Sequence, residues 1–378
     1  MKRVFIFIIS LMMVINGAFA KDYRAVLVAD INSGAVLYQE NANELNYPAS
    51  LTKIMTLYLT FDALRHNRLR LDDYLIVSNY AAGAQEVKLG LSAGSKIKVE
   101  DAIKAVAVLS ANDVARVLAE NLKGGKEGSF ASMMTKVATE IGLKNTNFEN
   151  ASGLPNDDHL STARDIATLA MAVHQHFPEY WKYFGIKTWT YNGKTYTNGN
   201  RLLGTYPGCD GMKTGFTNKS KYSLVATAKR NGVHLMAVVL GADNKDIRAN
   251  VATKMLNLGF SRSQQAGSGT VVKQETPITR YAQEENPYHE NVYSDESNYE
   301  TDRYMKGSAG IQFGAFTSYT LAQNMVAKVK SLLHVVPVIE RGDNDNLYRV
   351  RVIGITDDMA RKLKHDAGVQ GIDTYIFH

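Results

Sequence analysis

The sequence predicts an α+β chain in three parts. A large domain has an antiparallel sheet flanked by a helical cluster, a linker follows, and a small β-α-β-β-α-β domain ends the chain. Three observations predict this. Strand-like alternation stands at both ends of residues 21–262, with helical periodicity between them. Residues 263–305 turn polar and acidic, with Pro and Tyr but no periodicity, as a flexible linker does. Residues 306–378 regain two helical patterns set among alternating strands.

The chain has 378 residues, 45% apolar and 21% charged, which is ordinary globular composition with room for two or more domains. The net charge of +6 is mild and the basic residues are scattered, so no nucleic acid partner is expected. The first twenty residues, "MKRVFIFIISLMMVINGAFA", combine Lys2 and Arg3, an apolar run and an Ala18-Phe19-Ala20 cleavage site. They read as a signal peptide cut after Ala20, with an uncleaved anchor as the alternative. No later stretch is long and apolar enough for a transmembrane span. Cys209 is the only cysteine, so packing rather than disulfides must hold the core, and it reads as a small buried residue rather than a redox group.

In chain order, residues 23–41 alternate on both sides of Asn32-Ser33-Gly34 and read as a β-hairpin. From Ser50, the residues Leu51, Ile54, Met55, Tyr58, Phe61 and Leu64 recur at helical spacing. Residues 95–122 begin as a strand and continue as two helices broken near Ser110–Asn112. Residues 129–143 and 162–176 read as helices, the second opened by a capping box from Thr162 to Asp165. Asn192-Gly193 marks a hairpin in 188–197, further strands follow, and a helix runs from about Lys245 to Leu258. In the last domain, one sheet face packs under two helices and the other displays Gln312, Phe316, Arg349 and Arg351.

Three short motifs carry chemistry. Serine needs a base to become a nucleophile, and on a helix Ser50 and Lys53 face the same side. The lysine serves as base only if burial or a second cation lowers its pKa. A second S-x-x-K at Ser95–Lys98 lies in a strand pattern, where positions i and i+3 point to opposite faces, so only Ser50–Lys53 can form a dyad. Ser110-Ala111-Asn112 is either a helix cap or a proton-relaying hydroxyl beside an orienting amide. Lys213-Thr214-Gly215 is either an exposed edge strand or an anion site, with Gly215 letting a peptide backbone approach. In the second case Lys213 also repels the charged form of Lys53. The histidines are scattered and lack metal-ligand spacing, so no metal or cofactor is expected.

The order S-x-x-K, S-x-N, K-T-G on helix, inter-helix loop and strand resembles penicillin-binding proteins and class A β-lactamases. Residues 21–262, through "YPASLTKIMT", "LSANDVARVLAE", "NASGLPNDDHLSTARDIATLA" and "CDGMKTGFT", resemble a low-molecular-mass penicillin-binding protein, a serine-type D-alanyl-D-alanine carboxypeptidase. The resemblance implies Ser50 as nucleophile, Lys53 as its base, and Ser110 and Asn112 lining the cleft. It implies Lys213, Thr214 and Arg248 on the substrate carboxylate, and an oxyanion hole from the backbone N–H groups of Ser50 and Phe216. Stem peptides of peptidoglycan are the implied substrate and β-lactams the implied inhibitors. A DD-endopeptidase cutting cross-links, a β-lactamase and a vestigial wall-binding scaffold are the alternatives. No E-x-x-L-N segment lies between Asn112 and Lys213, which disfavours the lactamase. Residues 306–378, through "IQFGAFTS" and "LYRVRVIG", resemble a SPOR domain. That implies binding of glycan strands lacking stem peptides, with Gln312, Phe316, Arg349 and Arg351 as candidate contacts, and a periplasmic protein concentrated at the division septum. Hydrolysis and wall binding are expected to be separable.

Overall fold

Described in the computed structural model are residues 22–267, Ile278 and 309–378, apart from 86, 124–126, 334, 336, 342–344 and 346. The expected signal peptide and most of the expected linker lie outside the described residues.

Strands β1 (Ala25–Asp30) and β2 (Val36–Glu40) form the expected hairpin. A 3-10 turn at Ala49–Thr52 leads into α1 (Lys53–Arg65), whose residues from Lys53 to Leu64 are all buried. A small hairpin pairs β3 (Tyr74–Ile76) with β4 (Lys96–Lys98), separated by the short α2 (Asn79–Ala82). In the competing Ser95–Lys98 motif, Lys96–Lys98 lie in β4 and Ser95 directly precedes it. Next come α3 (Val99–Lys104), a π-helical stretch at Ala105–Leu109, α4 (Asn112–Leu122), α5 (Glu127–Glu140) and α6 (Ala163–His176). The hairpin β5 (Thr188–Tyr191) and β6 (Lys194–Thr197) turns at Asn192-Gly193 with both φ positive. Three long strands, β7 (Cys209–Thr217), β8 (Lys221–Arg230) and β9 (Val233–Ala242), precede α7 (Lys245–Gly267).

The strands assemble into one antiparallel sheet of order β2-β1-β9-β8-β7, so the two ends of the domain meet at its centre. Both faces of β1 are covered, which is why Ala25–Ala29 is apolar throughout. Ala25, Leu27 and Ala29 face the core shared with α1 and α6, while Val26 and Val28 pack in the core shared with α7.

Two local expectations change. α7 continues past Leu258 to Gly267. Gly259, which resembles a stop signal, sits in the helix because a Cβ there would lie 2.8 Å from Leu235 and Val28. Phe260 is buried beyond it, and Arg262 lies over the Tyr38 ring at 5.5 Å. At α6, Thr162 Oγ1 accepts from the Asp165 N–H (3.0 Å) as a cap should. Asp165, however, turns away from the expected box and accepts from Asn145 N–H (2.7 Å) and Thr146 Oγ1 (2.8 Å).

The C-terminal unit contains β10 (Ala309–Phe316), α8 (Tyr319–Leu333), β11 (Val338–Arg341), β12 (Tyr348–Ile355), α9 (Asp357–Val369) and β13 (Tyr375–Phe377). Its sheet order is β11-β12-β10-β13, with Ile311, Phe313, Val350 and Val352 buried in its core. Opposite the helices, Arg351 Nε donates to Gln312 Oε1 (2.9 Å), and its guanidinium lies 4.6 Å from the centre of the Phe377 ring. Phe316 is not on that face. An irregularity between Gln312 and Gly314 shifts the register, so Phe316 pairs with Tyr348 on the helix side and its ring folds over Gly314.

Burial of histidine makes the fold acid-sensitive. His159 is buried and its pKa falls to about 3, through burial first and the charge of Lys53 second. Its folded pKa lies below the unfolded value, so the unfolded chain binds the proton first. The stabilisation is full above pH about 6.5 and is lost as pH falls toward 3. The melting midpoint is expected to drop by roughly 5 °C between pH 7 and 5 on this account. The drop should be smaller in His159→Asn. A pH dependence unchanged by that substitution, read by calorimetry, would show that His159 is not its source.

Candidate active site

The start of α1, the break before α4 and the strand β7 converge on one cleft. Ser50 sits in the 3-10 turn, preceded by Ala49 at φ +48, a left-handed conformation that is costly for a residue with a Cβ. That turn fits only because position 153 is glycine. A Cβ on Gly153, itself at φ +81, would lie 1.8 Å from the Ala49 carbonyl oxygen. Gly215 has a related role. A Cβ there would lie 3.0 Å from Pro48 O and 3.3 Å from Ser50 N. The sequence reading gives Gly215 to an approaching substrate backbone; in the structure the space beside its Cα is filled by the turn that holds Ser50.

Lys53 is fully buried. Its Nζ donates to Ser50 Oγ (3.0 Å), Asn112 Oδ1 (2.7 Å) and the Ser152 carbonyl (2.5 Å). Burial lowers its pKa well below the usual lysine range, and the charge of Lys213 lowers it further, against the opposing pull of Glu127 and Asp113. Of the two causes foreseen for a lowered pKa, burial is the larger.

Asn112 opens α4, and its Nδ2 donates to Gln85 O (3.1 Å), which fixes the amide with its oxygen toward Lys53. Ser110 stands at φ +67, and its Oγ is buried without a hydrogen-bond partner. No side chain caps the start of α4, whose cap residue is Ala111; Ser110 instead ends the preceding helical stretch as a left-handed backbone cap, its N–H donating to Ala105 O. Asp113 anchors the same turn by accepting from the N–H groups of Leu89, Gly90 and Leu91.

On β7, Lys213 is buried and donates to Thr214 O (3.1 Å). Its pKa drops to about 7, from burial first and the charge of Arg248 second. The edge-strand reading of a water-facing lysine therefore fails. Arg248, on α7, is also buried, with its guanidinium over the Tyr222 ring at 5.9 Å and its Nε without a partner. Its Nη2 donates to Gly199 O (3.3 Å), and a Cβ on Gly199 would lie 2.7 Å from Thr214 Oγ1, so Arg248 and Thr214 both border Gly199. Phe216 is 47% exposed and its ring packs on Tyr222 at 4.3 Å. Cys209 stands apart as a thiol whose pKa is raised to about 11, chiefly by burial.

The sequence reading uses the segment between α5 and α6 for its resemblance and gives its residues no role in the site. Asn150 Oδ1 accepts from the N–H groups of Ser152 (3.2 Å), Gly153 (2.7 Å) and Leu154 (3.0 Å), folding a tight turn. Thr56 Oγ1 donates to Ala151 O (2.6 Å) and Ala151 N–H donates to Glu127 Oε1 (3.0 Å). His159, buried, shares a hydrogen bond with Thr52 Oγ1 (2.8 Å). The Asn-Ala-Ser-Gly turn chemistry was legible; that its carbonyl reaches Lys53 was not. Among the described residues no cluster of His, Cys, Asp and Glu is placed to hold a metal, and no helix is long and apolar enough to cross a membrane.

Comparison with known proteins agrees with this architecture. The family profile described as D-alanyl-D-alanine carboxypeptidase, peptidase S11, matches residues 17–244, and the SPOR domain profile matches 306–377. The D-alanyl-D-alanine carboxypeptidase DacF of Bacillus subtilis is 36% identical over 254 residues, covering 64% of this chain and 63% of that protein. DacC of Escherichia coli is 39% identical over 246 residues, covering 63% of this chain and 61% of that protein. The chain thus spans less than two thirds of the length of these relatives. The crystal structure of penicillin-binding protein 5 from Haemophilus influenzae superposes with a TM-score of 0.62 at 33% identity, over 64% of this chain and 72% of that one. Penicillin-binding protein D2 of Listeria monocytogenes in its ampicillin-bound form gives 0.56 at 31% identity, over 64% of this chain and 98% of that one. The chain belongs to the D-alanyl-D-alanine carboxypeptidase family of S11 peptidases and carries a SPOR domain behind its peptidase fold.

Proposed function

We propose that the protein hydrolyses the terminal D-Ala-D-Ala bond of peptidoglycan stem peptides through an acyl-enzyme on Ser50. The observation that carries this reading is the set of three contacts at Lys53 Nζ. A neutral amine has two N–H bonds and one lone pair. Asn112 Oδ1 and Ser152 O can only accept, so they take the two N–H bonds and the lone pair is left facing the Ser50 hydroxyl. Lys53 then takes the Ser50 proton as Oγ attacks the penultimate D-alanine carbonyl. The resulting ammonium still finds acceptors at Asn112 and Ser152.

Ser110, with a buried and unpartnered hydroxyl, is suited to pass a proton to the departing D-alanine nitrogen. Lys213, Thr214 and Arg248 hold the terminal carboxylate, and the N–H groups of Ser50 and Phe216 stabilise the oxyanion. Water then hydrolyses the ester. The two carboxylates whose charge reaches Lys53 are both committed elsewhere. Glu127 accepts from Ala151 N–H and Tyr80 Oη, and Asp113 from four backbone N–H groups. Neither is set to activate water, which favours slow release of bound β-lactam over lactamase turnover. The SPOR domain directs the enzyme to denuded glycan at the division septum in the periplasm, through Gln312, Arg349 and Arg351. Arg351 and Gln312 already meet across strands, with Phe377 and Tyr375 as added aromatic contacts on the same face.

Ser50→Ala is expected to lose at least about 10⁴-fold in D-alanine release from a pentapeptide, and to lose the covalent penicillin adduct seen by mass spectrometry. Release at the wild-type rate would remove Ser50 from the reaction. Product analysis on purified muropeptides separates the carboxypeptidase from cross-link cleavage.

The pH profile carries a second expectation. Deprotonation of Lys53 raises kcat/KM on the acid side. Lys213 loses its charge above about pH 7 in the free enzyme, and with it the attraction for the substrate carboxylate, so kcat/KM falls on the alkaline side. A substrate with an amidated C-terminus should react poorly and lack the alkaline fall. The same fall with both substrates would detach Lys213 from carboxylate binding.

A further inference from the structure

We infer that the SPOR domain docks on the peptidase as a positioning element for the catalytic base, rather than trailing it as a passive tether. The contact is made by the helix-side edge of the SPOR sheet. Tyr348, the first residue of β12, places its hydroxyl 2.8 Å from Glu149 Oε1 and 3.0 Å from Asp158 Oδ2. Arg341, on the edge strand β11, pairs with Glu149. The Tyr319 N–H at the start of α8 points to Asp158 Oδ1 at 3.4 Å, and the Tyr319 and Tyr348 rings meet edge to face at 5.6 Å. The Glu149 side chain is only 6% exposed, and this buried carboxylate is shared between the SPOR arginine and phenol and two amides of its own segment, Asn147 Nδ2 (2.8 Å) and Asn156 Nδ2 (3.4 Å).

Glu149 and Asp158 flank the segment that aims Lys53. The Glu149 N–H lies 3.3 Å from His159 Nδ1, and His159 holds Thr52 beside Lys53. One residue beyond Glu149, Asn150 folds the turn that presents the Ser152 carbonyl to Lys53 Nζ. On the proposed mechanism, that carbonyl is one of the two acceptors that leave the lysine lone pair facing Ser50, so the inference rests on that reading. If the segment loosens, the amine gains other orientations and fewer of them are productive. The sequence reading treats hydrolysis and wall binding as separable; this contact couples them. It leaves the other sheet face uncovered by the peptidase, because Arg349 and Arg351 alternate with Tyr348 and Val350 and point the opposite way. Docking and glycan binding are therefore compatible.

The test uses the full chain with Tyr348→Phe, which keeps the ring, combined with Arg341→Ala. Amide hydrogen exchange across residues 150–154 should accelerate about ten-fold. On a soluble pentapeptide, kcat should fall about three- to ten-fold while KM changes less than about two-fold. Retained sacculus binding shows that the SPOR domain is still folded. Should the double variant lose that binding, Arg341→Ala alone, at an exposed edge position, is the variant to read, with a smaller change of the same sign. Wild-type exchange and wild-type kcat in a variant with a folded SPOR domain would overturn the inference. The exchange result does not depend on the reaction, and failure of wild-type protein to form a Ser50 penicillin adduct would instead remove the proposed function.

Discussion

A lysine side chain enclosed in protein is the constraint around which the peptidase fold is arranged. Removing an ammonium group from water costs several kcal/mol even after relaxation, so a buried lysine is held either neutral or fully partnered. Lys53 is served on both counts. Burial and the Lys213 charge favour the neutral amine, and its surroundings offer acceptors from three separate elements. Those acceptors explain features that otherwise look like defects: the break before α4, which brings in Asn112, and the strained Ala49 before Ser50. Each delivers a polar atom to a point the regular elements alone would not reach.

Close approach of backbone is the second requirement. The Ser50 turn is wedged between the Gly153 turn and β7; a Cβ would collide with the backbone at Gly153 and be tightly crowded by it at Gly215. A helix start, a loop and a strand thereby come together with no side chain between them. The strain at Ala49 persists because the surrounding elements fix that turn from both sides.

The sequence made periodic elements and punctuated turns legible. The hairpin at Asn192-Gly193, the Ser95–Lys98 decoy at β4 and the sheet joining both ends of the peptidase domain follow from alternation, spacing and turn chemistry. Features set by tertiary contact were not legible. Gly259 carries the local signature of a helix stop, but its reason is close packing against Val28 and Leu235. Phe316 alternates correctly on paper, yet a single register irregularity moves it to the opposite face. In the site, the residue types that carry a side-chain role were visible as motifs. The Ser152 contribution was hidden because it comes from a carbonyl, which every residue possesses, and only the path of the chain selects which one matters.

The same electrostatics suggest how binding and chemistry reinforce one another on the proposed mechanism. The Arg248 charge disfavours the charged form of Lys213, and Lys213 in turn disfavours the charged form of Lys53. That arrangement disfavours protonation of the base while no substrate is present. An arriving carboxylate compensates the charge at Lys213 and Arg248, and the repulsion felt at Lys53 weakens. Lys53 then becomes a stronger base at the moment a Ser50 proton has somewhere to go. A substrate lacking the carboxylate forgoes both the binding contact and this gain in basicity. Selectivity for a free C-terminus is thereby expressed in the chemical step as well as in binding.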